Sequence, residues 1–245
     1  MKKEWTENYF DKLYMKYFLL TQKEEMTEQQ TTFIKTFLRP GGRVLDTGCG
    51  IGRHSISLAK KGFDVVGIDT SDIYLSFAKE SSIKEEVRNI EFKKIDMRDM
   101  DYKEEFDGVI NLWSSFGYYD DETNFEILKN LSEALKRDGI LIIDIENRDY
   151  LLKNFVYETF KESDGVFILE RRNYHPLTSI ITTHRFFIGK DLKKEYIRNI
   201  RMYSATEMIN LYKSAALKEI QVFGNFAGEK FSINSKRIII IGKKA

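Results

Sequence analysis

Residues Val44 to Gly52 read VLDTGCGIG, an apolar strand ending in an acidic residue and followed by glycines at 48, 50 and 52. Without a Cβ, glycine adopts positive φ and lets a ligand approach the main chain. The amides that open the next helix, around Arg53 to Ser55, then point into the gap. Asp46 stands at the carboxyl end of its strand, where ligands of open α/β sheets bind. Asp69, Asp96 and Asn111 close three further apolar segments. Each by itself reads as a helix cap or a solvated strand end, but on parallel strands all four reach one edge and line one crevice. Asp69 lies 23 positions after Asp46, where acidic side chains bond ribose hydroxyls in nucleoside-binding α/β folds. The nicotinamide fingerprint GxGxxG is excluded, because Arg53 occupies the place of its third glycine.

These residues need elements to position them. Trp5 to about Leu38 has helical periodicity, with Tyr9, Phe10, Tyr14, Tyr17 and Phe18 on recurring faces, and Pro40-Gly41-Gly42 ends it. Short apolar strands then alternate with amphipathic helices, the pattern of a parallel sheet. The strands fall at Arg43–Asp46, Asp64–Ile68, Ile90–Lys94, Phe106–Asn111 and Ile140–Ile145. Helices are expected at about 52–61, closed by Gly62, then from a Thr70 or Ser71 cap to about Ser82, and at 122–136. Beyond Asn147, strand-like alternation at Gly165–Tyr174 and Ser179–Ile188, with turn residues between, predicts a small inserted antiparallel sheet. A helix at 206–216 and strands at 219–223 and 237–241 complete the chain.

At 245 residues, 42% hydrophobic and 31% charged, the chain has the composition of an ordinary globular protein. No apolar run approaches the roughly 20 residues of a membrane span, and MKKEWTENYF lacks the apolar core of a secretory signal. Cys49 is the sole cysteine, which fits a reducing cytoplasm and reads as a small buried filler. No His/Cys/carboxylate spacing suggests a metal site. The net charge of +1 hides an asymmetry: residues 151–245 carry 17 Lys/Arg against 9 Asp/Glu. With no dense basic cluster interleaved with aromatics, this basic part reads as solvated surface rather than a nucleic-acid site.

The DxGxGxG loop, GIDTS with Asp69, KIDMRDM with Asp96, FDGVINLWSSFGY and LKRDGILIIDIEN, in that order, resemble the motifs of class I S-adenosylmethionine-dependent methyltransferases. The resemblance covers roughly Phe33–Asn147, with the last helix and two strands fitting the family's ending. It implies an α/β fold: a Rossmann-like, doubly wound, mixed seven-stranded sheet whose last strand is antiparallel, with an N-terminal helical lid (residues 1–38). Residues 1–150 and 204–245 would form the cofactor-binding domain and 151–203 the inserted antiparallel β subdomain. On the same resemblance Asp46, Gly48, Cys49, Gly50 and Gly52 would meet the methionyl portion of S-adenosyl-L-methionine. Asp69 would take both ribose hydroxyls, and Thr70 and Ser71 beside it would also meet the cofactor. Asp96 and Met97 would take the adenine, and Asn111, Leu112 and Trp113 would wall the sulfonium. S-adenosyl-L-homocysteine would be the product, and no metal is implied.

The sulfonium is already an activated methyl donor, so the protein's task is orientation, and no catalytic residue follows from the cofactor motifs. Neither a [DN]PP[YF] motif after the fourth strand nor a second cysteine for base-C5 chemistry is present. The inserted sheet is similar to that of small-molecule N-methyltransferases. The expected reaction is in-line methyl transfer to N or O of a small-molecule acceptor by a monomer or a homodimer formed through that sheet. RNA methylation and a non-catalytic S-adenosylmethionine-binding regulator are the alternatives. Acceptor-side candidates are Tyr14, Trp113, Phe116, Tyr118, Asn147, Arg148, Arg172, His184, Arg201 and Tyr203.

Overall fold

The computed structural model describes residues 5–245, without the Glu7 side chain. Residues 1–4 of the expected lid lie outside them. Seven strands form one sheet: β1 (Arg43–Thr47), β2 (Asp64–Asp69), β3 (Ile90–Lys94), β4 (Phe106–Asn111), β5 (Leu135–Glu146), β10 (Leu217–Phe223) and β11 (Arg237–Lys244). Their order is β10-β11-β5-β4-β1-β2-β3. β11 alone runs against the direction of the other six strands, as expected for the last strand. The strands read as continuous apolar runs because helices cover both faces. On one side Leu45, Ile68, Val109 and Ile143 pack with Leu128 of α6 (Asp121–Ala134) and Met208 of α8 (Ala205–Ser214). On the other, Val44, Val65, Ile110 and Ile239 pack with Ile34 of α3 (Glu24–Lys35) and Leu58 of α4 (Arg53–Lys60). The first βαβ unit continues through α5 (Asp72–Lys84), whose N-cap is Ser71.

Between β5 and α8 lie a short helix, α7 (Arg148–Lys153), and a second sheet of β6 (Glu158–Ser163), β7 (Val166–His175), β8 (Ile180–Gly189) and β9 (Leu192–Arg201). It is antiparallel throughout, in sequential order. Its inner residues Val166, Ile168, Phe187 and Tyr196 pack on Tyr9 and Tyr17 of the N-terminal segment.

That segment departs from the continuous helix expected over Trp5–Leu38. It is broken into α1 (Thr6–Tyr9), α2 (Lys12–Tyr14), a π-helical turn (Met15–Leu19) and α3. The break has a local cause. Asp11 adopts an extended conformation and its carboxylate accepts from the Leu13 and Tyr14 amides, which restarts the helix in a new direction. β5 also begins at Leu135, five residues before the expected start, with Asp138 at φ 64° inside it. Among the described residues no helix is long and apolar enough to cross a membrane.

Gly52 is where the fold demands glycine most. It sits at φ 78° as the N-cap of α4, and a Cβ there would lie 2.8 Å from Phe92 Cζ and 2.9 Å from Ala78 Cβ. Gly52→Ala is expected to cost about 2 kcal/mol through overpacking and backbone strain. Urea denaturation checks this, and an unchanged midpoint would refute the steric assignment.

Candidate active site

A cleft of about 930 Å³, partly open to solvent, lies at the carboxyl edge of β1 to β4. Its floor comes from four strand ends: Asp46 with Gly48 to Ile51, Asp69 and Thr70, Ile95 to Met97, and Leu112, Trp113 and Ser115. Thr6, Phe10, Tyr14 and Leu19 of the N-terminal segment form its roof. Gly48, at φ 67°, passes so close to the loop after β4 that a Cβ would sit 3.0 Å from Ser115 Cβ and Oγ. The glycine turn is tied to β2 through the Cys49 amide on Ile68 O (3.0 Å) and the Gly50 amide on Asp69 Oδ2 (2.9 Å). Asp69 Oδ1 accepts from the Ser71 amide (2.9 Å), so this one carboxylate orders both loops at the cleft.

Charge is concentrated here. Burial pushes the Asp46 carboxyl up to about 6, although Ser55 Oγ donates to its Oδ2 at 2.5 Å. Burial likewise raises Asp69. The Arg53 guanidinium is drawn down to about 10 by burial. It lies over the Trp113 ring at 5.4 Å and donates through Nη1 to Thr27 and Gln30 of α3 (2.9 and 2.8 Å), while its Nη2 is buried without a partner. His54 is kept neutral by burial, and its Nε2 meets Gln30 Oε1 at 2.8 Å, an arrangement that assigns the proton to Nε2. Asp96 is gripped by Arg98, with the amide and Nε on Oδ1 and Nη2 on Oδ2 at 2.7 Å.

After β4 the chain turns through two consecutive left-handed residues, Trp113 (φ 59°) and Ser114 (φ 63°). Asp144 of β5 holds that turn: its Oδ2 accepts from the Trp113 amide (3.0 Å) and its carbonyl from the Ser114 amide (2.9 Å). Trp113 thereby faces the main cleft, while Ser114 lines a second, much smaller cavity beside it, with room for about one water. Glu146, Arg198, Phe116, Arg201 and Tyr203 also line this second cavity.

Of the residues expected to meet the cofactor, Asp46, Gly48, Cys49, Gly50, Asp69, Thr70, Asp96, Met97, Leu112 and Trp113 line the main cleft. Three do not. Gly52 and Ser71 have turned into the starts of α4 and α5. Asn111 is fully buried beneath the cleft, where its amide nitrogen donates to Thr47 O and Oγ1. Among the acceptor-side candidates, Tyr14, Trp113 and Tyr118 line the cleft. The arginine and histidine candidates do not, because each has a carboxylate elsewhere. Arg148 and Arg201 both pair with Glu207 (2.7 and 2.8 Å), Arg172 with Glu170 (2.5 Å) and the half-exposed His184 with Glu195 (2.9 Å). Asn147 caps α7, and Phe116 packs on Tyr203 with ring centroids 5.6 Å apart. Arg53, His54, Tyr74, Asp144, Glu146 and Arg198 were not anticipated. A lone Asp within the apolar run ILIIDIE signals a buried partner, and Arg53 follows directly on the glycine turn. Nothing local marks Arg198.

A carboxyl whose folded value is raised contributes stability that is complete below its unfolded pKa and lost as pH rises through the folded one. For Asp46 that window runs from about pH 4 to about pH 6. Asp46→Asn, which stays neutral, is therefore expected to exceed the wild type by up to about 3 kcal/mol above pH 7 and to lose the advantage near pH 4. Urea midpoints across pH measure this; a difference independent of pH would refute it.

Residues 44–139 match the family described as "Methyltransferase domain". A putative methyltransferase of Bacillus subtilis, YqeM, is 28% identical over 225 residues, 89% of this chain and 90% of its own length. The glycine/sarcosine N-methyltransferase of Aphanothece halophytica is 38% identical over 126 residues, about half of each chain (49% and 46%). Among solved structures, the CcbJ methyltransferase of Streptomyces caelestis superposes with a TM-score of 0.83 at 16% identity, over 95% of this chain and 96% of that one, a likeness of fold. The family match spans the glycine turn and the first four strand ends that frame the cleft, on a sheet whose last strand is reversed, so the part of the chain that builds the cleft is similar to a methyltransferase domain.

Proposed function

We propose that this chain methylates a nitrogen or oxygen atom of a small-molecule acceptor, with S-adenosyl-L-methionine held in the main cleft. When bound, the cofactor supplies an activated methyl group that leaves with S-adenosyl-L-homocysteine as the product. The residues present fit it. The Gly48 turn leaves no side chain between backbone and ligand, and the unpartnered Arg53 Nη2 offers a donor for the methionyl carboxylate. Asp46 is the acceptor for the methionyl ammonium. Asp69, with Thr70 beside it, retains lone pairs for the ribose hydroxyls. Asp96 and Met97 receive the adenine, and Leu112 and Trp113 flank the sulfonium.

The observation that carries the small-molecule reading is the roof. Phe10, Tyr14 and Leu19 close the cleft from above, and the chain's own Asp11 ties that segment to Lys194 (2.8 Å) and Tyr196 of the inserted sheet. An acceptor must fit beneath them, which suits a metabolite and not a folded RNA. The basic C-terminal part adds no competing surface where its cations are already matched, as in Arg171–Glu158, Arg185–Glu170 and Lys243–Asp138. Nitrogen is the better-supported target atom. Burial holds the Tyr14 phenol at about 12 and raises Tyr118, so both donate hydrogen bonds at neutral pH and neither is a base. An amine attacking in its neutral form needs no base, and the partial similarity to a glycine/sarcosine N-methyltransferase is consistent with it. This reading takes residues 1–150 and 204–245 as the cofactor-binding domain and 151–203 as the acceptor-side insertion.

Isothermal titration calorimetry with S-adenosyl-L-methionine tests the reading, and absence of binding at millimolar ligand would sink it. Asp69→Ala removes the ribose acceptor together with the anchor of the Gly50 and Ser71 amides. It is expected to weaken binding by about tenfold or more. An unchanged dissociation constant would overturn the ribose assignment.

A further inference from the structure

We propose, resting on the S-adenosyl-L-methionine reading of the main cleft, that Arg98 sets the base selectivity of the cofactor site. It is a positioning residue, acting through Asp96 and Tyr119 to admit a purine with an exocyclic amine and reject one with a carbonyl oxygen in that place.

The turn after β3 brings Asp96 and Arg98 together. The Asp99 amide donates to the Asp96 carbonyl (2.9 Å) and the Arg98 amide to Asp96 Oδ1 (2.9 Å), so Arg98 folds back over the carboxylate two residues before it. Its Nε adds a second bond to Oδ1 (3.1 Å), and its Nη2 takes Oδ2 (2.7 Å). An ionised carboxylate offers about four lone pairs. The bonds from Arg98 occupy both positions on Oδ1 and one on Oδ2, which leaves Oδ2 about one more to offer. Asp96 lines the main cleft beside Ile95 and Met97. A single lone pair in a fixed direction accepts one N–H, as the exocyclic amine of adenine supplies, and repels an oxygen acceptor at the same place.

The same guanidinium braces the next loop. Its Cζ lies 4.4 Å from the ring centroid of Tyr119, a residue after β4 that also lines the main cleft. α6 pins both loops from behind. Asn130 Nδ2 donates to the Arg98 carbonyl (3.2 Å). Buried Asn124 donates to the Tyr119 carbonyl (2.7 Å) and accepts from the Tyr119 amide (3.3 Å). Arg98 therefore joins the loops after β3 and β4 at the place where Asp96 and Met97 receive the adenine. Both of its contacts use the planar fork, two-pronged on the carboxylate and flat on the ring, which a lysine does not reproduce. With the fork in place the Asp96 carboxylate keeps one orientation; without it the carboxylate is free to turn, and the distinction between an amine and a carbonyl weakens.

Calorimetry on the full chain compares S-adenosyl-L-homocysteine with S-inosyl-L-homocysteine, in which a carbonyl oxygen replaces the exocyclic amine. The wild type is expected to prefer the adenosyl ligand by about 100-fold. Arg98→Met should weaken the adenosyl ligand by about tenfold and leave the inosyl ligand within about twofold, so that the preference falls to about tenfold. Arg98→Lys, which returns the charge without the fork, should recover part of the affinity and little of the preference. A general loss of structure would weaken both ligands alike and leave their ratio unchanged. A ratio within about twofold of the wild type in both Arg98 variants overturns the proposal, as does a wild type that binds the two ligands equally or an undiminished preference in Asp96→Asn. Each of these outcomes spares the cofactor reading. A wild-type chain that binds neither ligand overturns that reading itself.

Discussion

The arrangement of both cavities depends on the Asp144 carboxylate. Two adjacent non-glycine residues in the left-handed region, Trp113 and Ser114, are costly, about 1–3 kcal/mol each, and persist only where the surroundings over-determine them. Asp144, itself 1% exposed, supplies that constraint by accepting both amides of the turn, one on its carboxylate and one on its carbonyl. Arg237 from β11 holds the other carboxylate oxygen at 2.7 Å, so the buried charge is compensated. The turn sends Trp113 to the main cleft, under the Arg53 guanidinium, and Ser114 to the neighbouring cavity. One ion pair between β5 and β11 thus sets the wall between the two spaces.

A second carboxylate organises the opposite side. Asp11 ends one helical piece and starts the next, and it also receives Lys194 and the Tyr196 hydroxyl from β9. Its carbonyl accepts from Tyr74 Oη of α5 at 3.1 Å. The N-terminal aromatics are thereby clamped between the inserted sheet and the main domain, which gives the cleft a roof of the chain's own making. The clamp joins residues about 180 positions apart through short polar contacts, so it belongs wholly to the tertiary structure.

Much of the main cleft was legible in the sequence. β3 and β4 have the expected bounds, β1 and β2 differ from theirs by one residue, and Asp46, Asp69 and Asp96 do meet at one edge. That follows because apolar runs separated by helical periods force a parallel sheet, and parallel strands deliver their carboxyl ends together. Asn111 shows the limit. Its place at the end of β4 was evident, but its side chain turns down to Thr47 instead of up into the cleft. The acceptor side was far less legible. Arg148, Arg172, His184 and Arg201 were plausible on residue type, yet each is drawn to a carboxylate that local spacing does not reveal.

By itself, then, the sequence determined the class of fold, the glycine turn and the acidic strand ends, since all of these rest on local periodicity and on a topological rule for parallel strands. The tertiary structure decided which polar side chains face an empty space. In a strand the alternation says only that neighbours face opposite ways. Which face is inner, and which charge is left without a partner, depends on cross-strand register and on carboxylates distant in the chain. Arg198 is an example: among the described residues it has no ion pair, and only the cross-strand register shows which neighbours it meets.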